Sequence, residues 1–257
     1  LQGCVTAAGD PYRELEQRWK ALRTGDLRMR EVACPKSRRS LLCVESGDSR
    51  LPAIAIAAGV HGDEPAGPWA LLELVESAGL DPRFAYRIWP CTNPDGFRAH
   101  TRANGDGIDV NRTFGGAGES PEARAILTAN RDRTFALSLD LHEDCDASGF
   151  YCYEYGGGEI GRLVVAALER SGFPIDPLEE TLDVTGPLEG IAYSRERGRI
   201  APDHLQEAAL LGGFSYSLAI ARHGAGHALT FETPSAAAWT QRLAMHRAAI
   251  CAAIHAI

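Results

Sequence analysis

Four apolar runs in this chain each stop at a polar cluster, and that rhythm restricts the fold more than any other feature. Residues 53–60, AIAIAAGV, lead into HGDE at 61–64; YRIWPC at 86–91 leads into NPDG at 93–96. FALSLDL at 135–141 leads into His142 and Glu143, and HALTFE at 227–232 leads into Thr233 and Pro234. Runs this short and continuous read as strands buried on both faces. Helical periodicity follows in PAGPWALLELVESAG, ending at Gly79, in GRLVVAALERSG at 161–172, and in a tail from about 236 to the end. Strands alternating with helices predict an α/β fold with a mixed, mostly parallel sheet and helices on both faces. In such a sheet the strand ends of one edge converge on one crevice, so the four polar clusters can meet there.

The flanks fit the same plan. YRELEQRWKALR at 12–23 places Leu15, Trp19 and Leu22 at helical spacing behind Asp10 and Pro11, a cap and a first position. Segments 29–35 and 40–45 read as an antiparallel edge pair joined by the turn PKSRR. Residues 97–120 are rich in Gly, Asn and Asp and lack periodicity, which suits a functional loop. With 257 residues, 45% of them hydrophobic, and no repeat or linker, the chain reads as one domain over 1–257.

Charge and cysteine content exclude several classes. The net charge is −8 and no run of Lys or Arg builds a basic stripe, so neither nucleic acid nor an anionic membrane is an expected partner. No uninterrupted apolar stretch approaches the roughly 20 residues of a membrane span, and a soluble chain is expected. Seven cysteines, odd in number and without a CxxC pair, form neither a zinc knuckle nor a complete disulfide framework, so a reducing cytoplasm is the expected compartment. The start LQGC lacks Met, and a signal preceding Leu1 would allow a periplasmic protein or one lipid-anchored through Cys4. Oligomeric state has no signature here.

His61 and Glu64 stand three apart in a loop, close enough for an imidazole and a carboxylate to reach one ion, and His142 arrives from another strand end. Three N/O ligands with a fourth position left to water make the pattern of a catalytic zinc site, whereas structural sites are closed with four ligands. The single HE pair, His142 and Glu143, lacks the second His of HExxH, which excludes that class of metalloprotease. Glu232 is open to two readings: a site carboxylate, or a cap for a helix starting at Thr233 and Pro234.

HGDE after a strand, NPDG, an Arg before GIDVNR, DLH at a strand end and FE after a last strand, in this order, resemble the zinc carboxypeptidase family of the funnelin type, over residues 12–257. HGDE, NPDG and RAN before GIDVNR are most similar to bacterial murein-peptide amidases, and the zinc ligands and base are shared with succinylglutamate desuccinylases and aspartoacylases. The resemblance implies the carboxypeptidase-like (phosphorylase/hydrolase-like) fold and one zinc ion held by His61, Glu64 and His142. It implies Glu232 as general base and acid, Arg102 as the residue polarising the scissile carbonyl, and Asn111 with Arg112 as the grip on the substrate's terminal carboxylate. Asp109 matches the carboxylate behind the first zinc-bound histidine.

Two departures bear on specificity. Asp63 stands near where digestive members carry an Arg beside the first histidine, and EAALLGGF at 207–214 lacks their mobile Tyr, leaving Tyr216 as a substitute in substrate binding. GGFSYS at 212–217, expected to build part of the side-chain pocket, carries no charge, while Asp63, Asp140, Asp144 and Asp146 would make an acidic mouth. An amino-bearing substrate such as a diaminopimelate peptide suits that balance. The expected activity is a zinc metallocarboxypeptidase acting on a peptide with a free carboxylate. The alternatives are an N-acyl amino acid deacylase of the desuccinylase/aspartoacylase type and a catalytically silent peptide-binding module, against which the complete set of site residues speaks.

Overall fold

The structure is a computed structural model that describes residues 9–23, 26–34, 40–77, 79–116, 118–178, 193–202 and 213–257. The N-terminal LQGC with Cys4, the PKSRR turn and residues 207–212 of EAALLGGF lie outside the described residues.

Among the described residues nine strands form one sheet: β1 (Arg28–Ala33), β2 (Ser40–Ser46), β3 (Ala53–Ala58), β4 (Ala85–Trp89), β5 (Leu137–Asp144), β6 (Tyr151–Tyr155), β7 (Tyr193–Glu196), β8 (Arg199–Pro202) and β9 (His227–Pro234). Their order is β1-β2-β4-β3-β5-β9-β6-β8-β7. The central four, β4, β3, β5 and β9, run parallel to one another, and β2 and β6 flank them antiparallel. The expected edge pair is there, with β1 antiparallel to β2. The mixed, mostly parallel sheet of the sequence reading is thus the observed one.

Seven helices are described: α1 (Pro11–Ala21), α2 (Ala66–Ser77), α3 (Pro94–Ala99), α4 (Pro121–Asn130), α5 (Ile160–Arg170), α6 (Tyr216–Arg222) and α7 (Trp239–His255). Asp10 caps α1 by accepting from the Arg13 N–H at 3.2 Å, with Pro11 next, as read from the sequence. Such a cap contributes about 1 kcal/mol.

The alternation inside β3 shows how the two faces differ. Ile54, Ile56 and Ala58 join the larger core under α1, α2, α5 and α7, whereas Ala55 and Ala57 face the smaller core of Trp89, Phe114, Ile126 and Tyr216 under α4 and α6. Small alanines leave room for the large rings. On that second face β5 and β9 turn polar: Ser138, Asp140 and His142 alternate with Leu137, Leu139 and Leu141, and Thr230 and Glu232 alternate with Leu229 and Phe231. An alternation of two places each set on its own side of the sheet.

Several elements differ from expectation, and β6, β7, β8 and α6 were not read from the sequence. β5 runs on through Asp144 and β9 through Pro234, so His142 and Glu232 sit inside strands rather than after them, and Glu232 caps no helix. NPDG opens helix α3, with Asn93 as its cap. The long loop gives way to α4 at Pro121, capped by Ser120, an element absent from the sequence reading.

Candidate metal centre

The loop after β3 carries His61 and Glu64, and its shape depends on Gly62. A Cβ there would stand 1.9 Å from the Gly96 carbonyl carbon and 2.1 Å from the Phe97 nitrogen, so HGDE interlocks with the first turn of α3 only because the residue is glycine. Asn93 fastens the junction. Its Oδ1 accepts from the Gly96 N–H at 2.9 Å, and its Nδ2 donates to the carbonyls of Val60 (3.1 Å) and Arg102 (3.2 Å). NPDG therefore positions two site loops.

His61 Nδ1 lies 2.6 Å from Glu64 Oε1, and His142 Nδ1 lies 2.9 Å from Glu64 Oε2 and 3.2 Å from His61 Nδ1. One ligand atom from each of the three lies within 4.8 Å of the others, and all three residues are buried. Behind them, His61 Nε2 faces Asp109 Oδ1 at 3.2 Å and His142 Nε2 faces Asp140 Oδ2 at 3.0 Å. A carboxylate at each Nε2 keeps the proton there and presents the Nδ1 lone pairs to a common point, the arrangement that holds metal-binding histidines. Two imidazoles and a carboxylate, backed in this way, fit a divalent ion of the zinc type.

Glu232 joins from the neighbouring strand. It is the register partner of His142 in the parallel pair β5/β9, so both side chains leave the same sheet face, and Glu232 lines the same cavity of about 430 Å³ as His61, Glu64 and His142. Arg102 reaches in from the loop after α3: its Nε donates to Asp109 Oδ2 at 3.0 Å, and its Nη1 lies 3.3 Å from His61 Nδ1 and 3.5 Å from Glu64 Oε1. Asn111 and Arg112 line the cavity as well, from a 3-10 turn at Val110–Arg112 that Asp109 caps.

Burial and neighbouring carboxylates set the electrostatics. Glu232 is pushed well above the usual carboxylate range by burial, with the charges of Glu64, Asp144 and Asp140 acting in the same direction and His142 opposing. Burial alone would raise Glu64, but the charge of His142 and hydrogen bonds from both histidines outweigh it and hold Glu64 low. Asp109 is also held low, because the hydrogen bond and charge of His61 and the charges of Arg102 and Arg112 overcome its burial.

Tyr216 is not where a substrate-binding residue would be. It is 1% exposed, and its ring packs edge-on against Phe114 at 5.5 Å in the second core. Its part is indirect: the Tyr216 N–H donates to Asn111 Oδ1 at 2.9 Å and fixes that amide. The α6 helix starts at Tyr216, and its inner face carries the ring into the sheet. Asp140 is likewise no part of an acidic mouth, being fully buried behind His142; Asp63 and Asp144 do line the cavity, and Asp146 does not. Of the described part of GGFSYS, Ser215 reaches it.

Sequence reasoning missed several neighbours. Tyr153, Tyr155 and Thr230 line the cavity from β6 and β9. Glu143, one residue after His142 and therefore on the opposite face, accepts from the Ala66 N–H at the start of α2 at 2.6 Å and pairs with Arg242 of α7. Its own N–H donates to Glu64 Oε2 at 3.1 Å. The spacing D-x-H inside a strand puts Asp140 and His142 on one face and was the available signal for that pair.

Residues 50–172 match the succinylglutamate desuccinylase/aspartoacylase catalytic domain family. A stretch of 161 residues is 31% identical to carboxypeptidase M of Mus musculus, covering 52% of this chain and 35% of that protein. The match spans about a third or less of the length of the curated relatives. A candidate metallopeptidase from Shewanella amazonensis has a TM-score of 0.74 at 24% identity, over 95% of this chain and 91% of that one. A succinylglutamate desuccinylase/aspartoacylase from Rhodobacter sphaeroides has a TM-score of 0.59 at 16% identity, over 91% and 66%. The chain thus has the carboxypeptidase-like fold, and its resemblance to the zinc carboxypeptidases and their desuccinylase/aspartoacylase relatives, read first from short motifs, stands.

Proposed function

We propose that this protein is a zinc-dependent metallocarboxypeptidase that hydrolyses the amide bond next to a free carboxylate. The observation that carries the reading is the convergence of His61, Glu64 and His142 on one point with Glu232 in register beside His142. One zinc ion held by those three residues would act as a Lewis acid and lower the pKa of a bound water towards about 7.

The side chains do the rest. Glu232, in register beside His142 and lining the same cavity, takes a proton from the attacking water and hands it to the departing nitrogen. Arg102, tethered by Asp109, faces the place where negative charge develops on the former carbonyl oxygen; loss of one such donor costs about 3–4 kcal/mol of barrier. Arg112 offers a guanidinium fork to the terminal carboxylate, and Asn111, anchored through its oxygen, offers its amide nitrogen beside it. Tyr153, Tyr155 and Thr230 would meet the substrate side chain, with Asp63 and Asp144 favouring an amino group there, as in a diaminopimelate-bearing peptide.

The family match over 50–172 favours a second reading, a deacylase of N-succinyl or N-acetyl amino acids. Both use the same residues, and both take a substrate with a free carboxylate. The six described cysteines are all free, four of them buried, which suits a reducing compartment and the cytoplasm as the proposed location. Among the described residues no helix is long and apolar enough to cross a membrane. We take residues 1–257 to act as one hydrolase domain.

The test is a substrate panel with metal analysis on the same preparation. Release of C-terminal residues from peptides, with zinc at one equivalent, supports the first reading, and faster cleavage of N-succinyl or N-acetyl amino acids supports the second. Stoichiometric metal with no turnover of either class would leave a silent binding module.

A further inference from the structure

A second cavity, of about 600 Å³, lies away from the metal centre between α4, α6 and the loop after the 3-10 turn. Its composition is unusual for a chain of net charge −8: Arg124, Arg131, Arg133, Arg222 and His223 line it, against one acid, Glu119. Glu119 is taken up by Arg124 at 3.4 Å. Arg131 and Arg222 have no carboxylate within ion-pair distance among the described residues, and Arg133 acts on Glu45 only as a distant charge. Guanidinium groups gathered without counter-charges repel one another unless an anion joins them.

The floor is apolar. Phe114, Phe135, Leu127 and Ile220 line it, and Phe214 stands at the side with the Arg222 guanidinium 4.7 Å from its ring centre. One further group is left open: Asn130, 5% exposed and part of the lining, has a buried Nδ2 with no partner among the described residues, its Oδ1 being taken by Arg87 at 3.3 Å. A buried amide donor without an acceptor is costly in a folded protein and is readily satisfied by an oxygen from a ligand. An apolar cavity of this size with a few convergent polar groups is what small-molecule sites look like.

We propose that this cavity binds a small organic anion, a phosphate or carboxylate group on an apolar body. The arginine forks take the oxyanion, as their planar geometry suits both groups, and the phenylalanine floor takes the body. The same short stretch of chain presents Asn111 and Arg112 to the metal-side cavity and Phe114 and Gly115 to this one, so the two cavities share a wall. The proposal does not depend on which amide the metal centre cleaves.

Calorimetric titration of the full chain with phenyl phosphate, phenylacetate and inorganic phosphate tests it. Saturable 1:1 binding of phenyl phosphate or phenylacetate is expected, the tighter one identifying the anionic group, with inorganic phosphate weaker than both. The exposed pair Arg131→Ala/Arg222→Ala should fold normally and weaken binding by about 10-fold or more. Arg112→Ala, on the metal side of the wall, should leave the affinity unchanged. Absence of saturable binding up to about 10 mM, equal affinity in the Arg131→Ala/Arg222→Ala variant, or loss of binding in Arg112→Ala would each overturn the proposal.

Discussion

Glu232 has carboxylates on several sides, and that crowding, added to burial, is what lifts its proton affinity. If it is the proton carrier, Glu232→Gln keeps the shape and removes the function: metal content should stay at the wild-type level while turnover falls by about 10²–10⁴-fold, read by metal analysis and kinetics on one sample. The histidines need their rear partners. Asp140→Asn should weaken metal affinity by about 10–100-fold in chelator competition, as should Asp109→Asn. Asp109 also has a pH signature. Its folded pKa is depressed, so its contribution to stability is complete above the unfolded value near ~4 and is lost as pH falls below it. In urea titrations of metal-free protein the wild type should therefore lose stability between about pH 5 and pH 3 more steeply than Asp109→Asn.

Elements place these residues, and here the sequence was legible unevenly. The continuous runs of β3, β4, β5 and β9 were readable because both faces are buried, and the leading helix because its apolar stripe is regular. α4 was hidden for a physical reason: Glu122 lies on its buried face, satisfied by the Asn104 Nδ2 at 3.0 Å, so a polar residue interrupts the stripe. The interlock of HGDE with α3 makes Gly62→Ala a test at this scale. With no room for a Cβ, the loop must shift, and the variant should lose metal affinity while its far-ultraviolet circular dichroism remains native. Arg199 and Glu154 form a buried ion pair between β8 and β6, beside the wall that carries Tyr153 and Tyr155. Glu154→Ala should cost about 3 kcal/mol in urea unfolding, because it leaves the buried guanidinium with only the more exposed Glu196 as a carboxylate partner.

For the whole molecule, the candidate metal centre joins the loop after β3 to the C-terminal half of β5, so ion binding should tie together segments 81 residues apart. Chelation should lower the unfolding midpoint: at 100-fold excess over Kd, a metal that binds only the folded state contributes about 2.7 kcal/mol, or roughly 5–10 °C for a chain of this size. A midpoint indifferent to chelator and to added zinc would count against a metal at this centre. The sequence by itself determined the central strands, the leading helix and the helices α2, α5 and α7, with the residue types at the strand ends, because burial on both faces and helical periodicity are local patterns; β6, β7, β8, α3, α4 and α6 escaped it. It singled out His61, Glu64, His142 and Glu232 through motifs and the resemblance they carry, not through distance. The tertiary structure decided which residues share a face: it sent Tyr216 into the core, put Asp140 behind His142, and gathered arginines from α4 and α6 into a second cavity. Those outcomes depend on strand register and on which helix covers which face, and neither is encoded in any single stretch of chain.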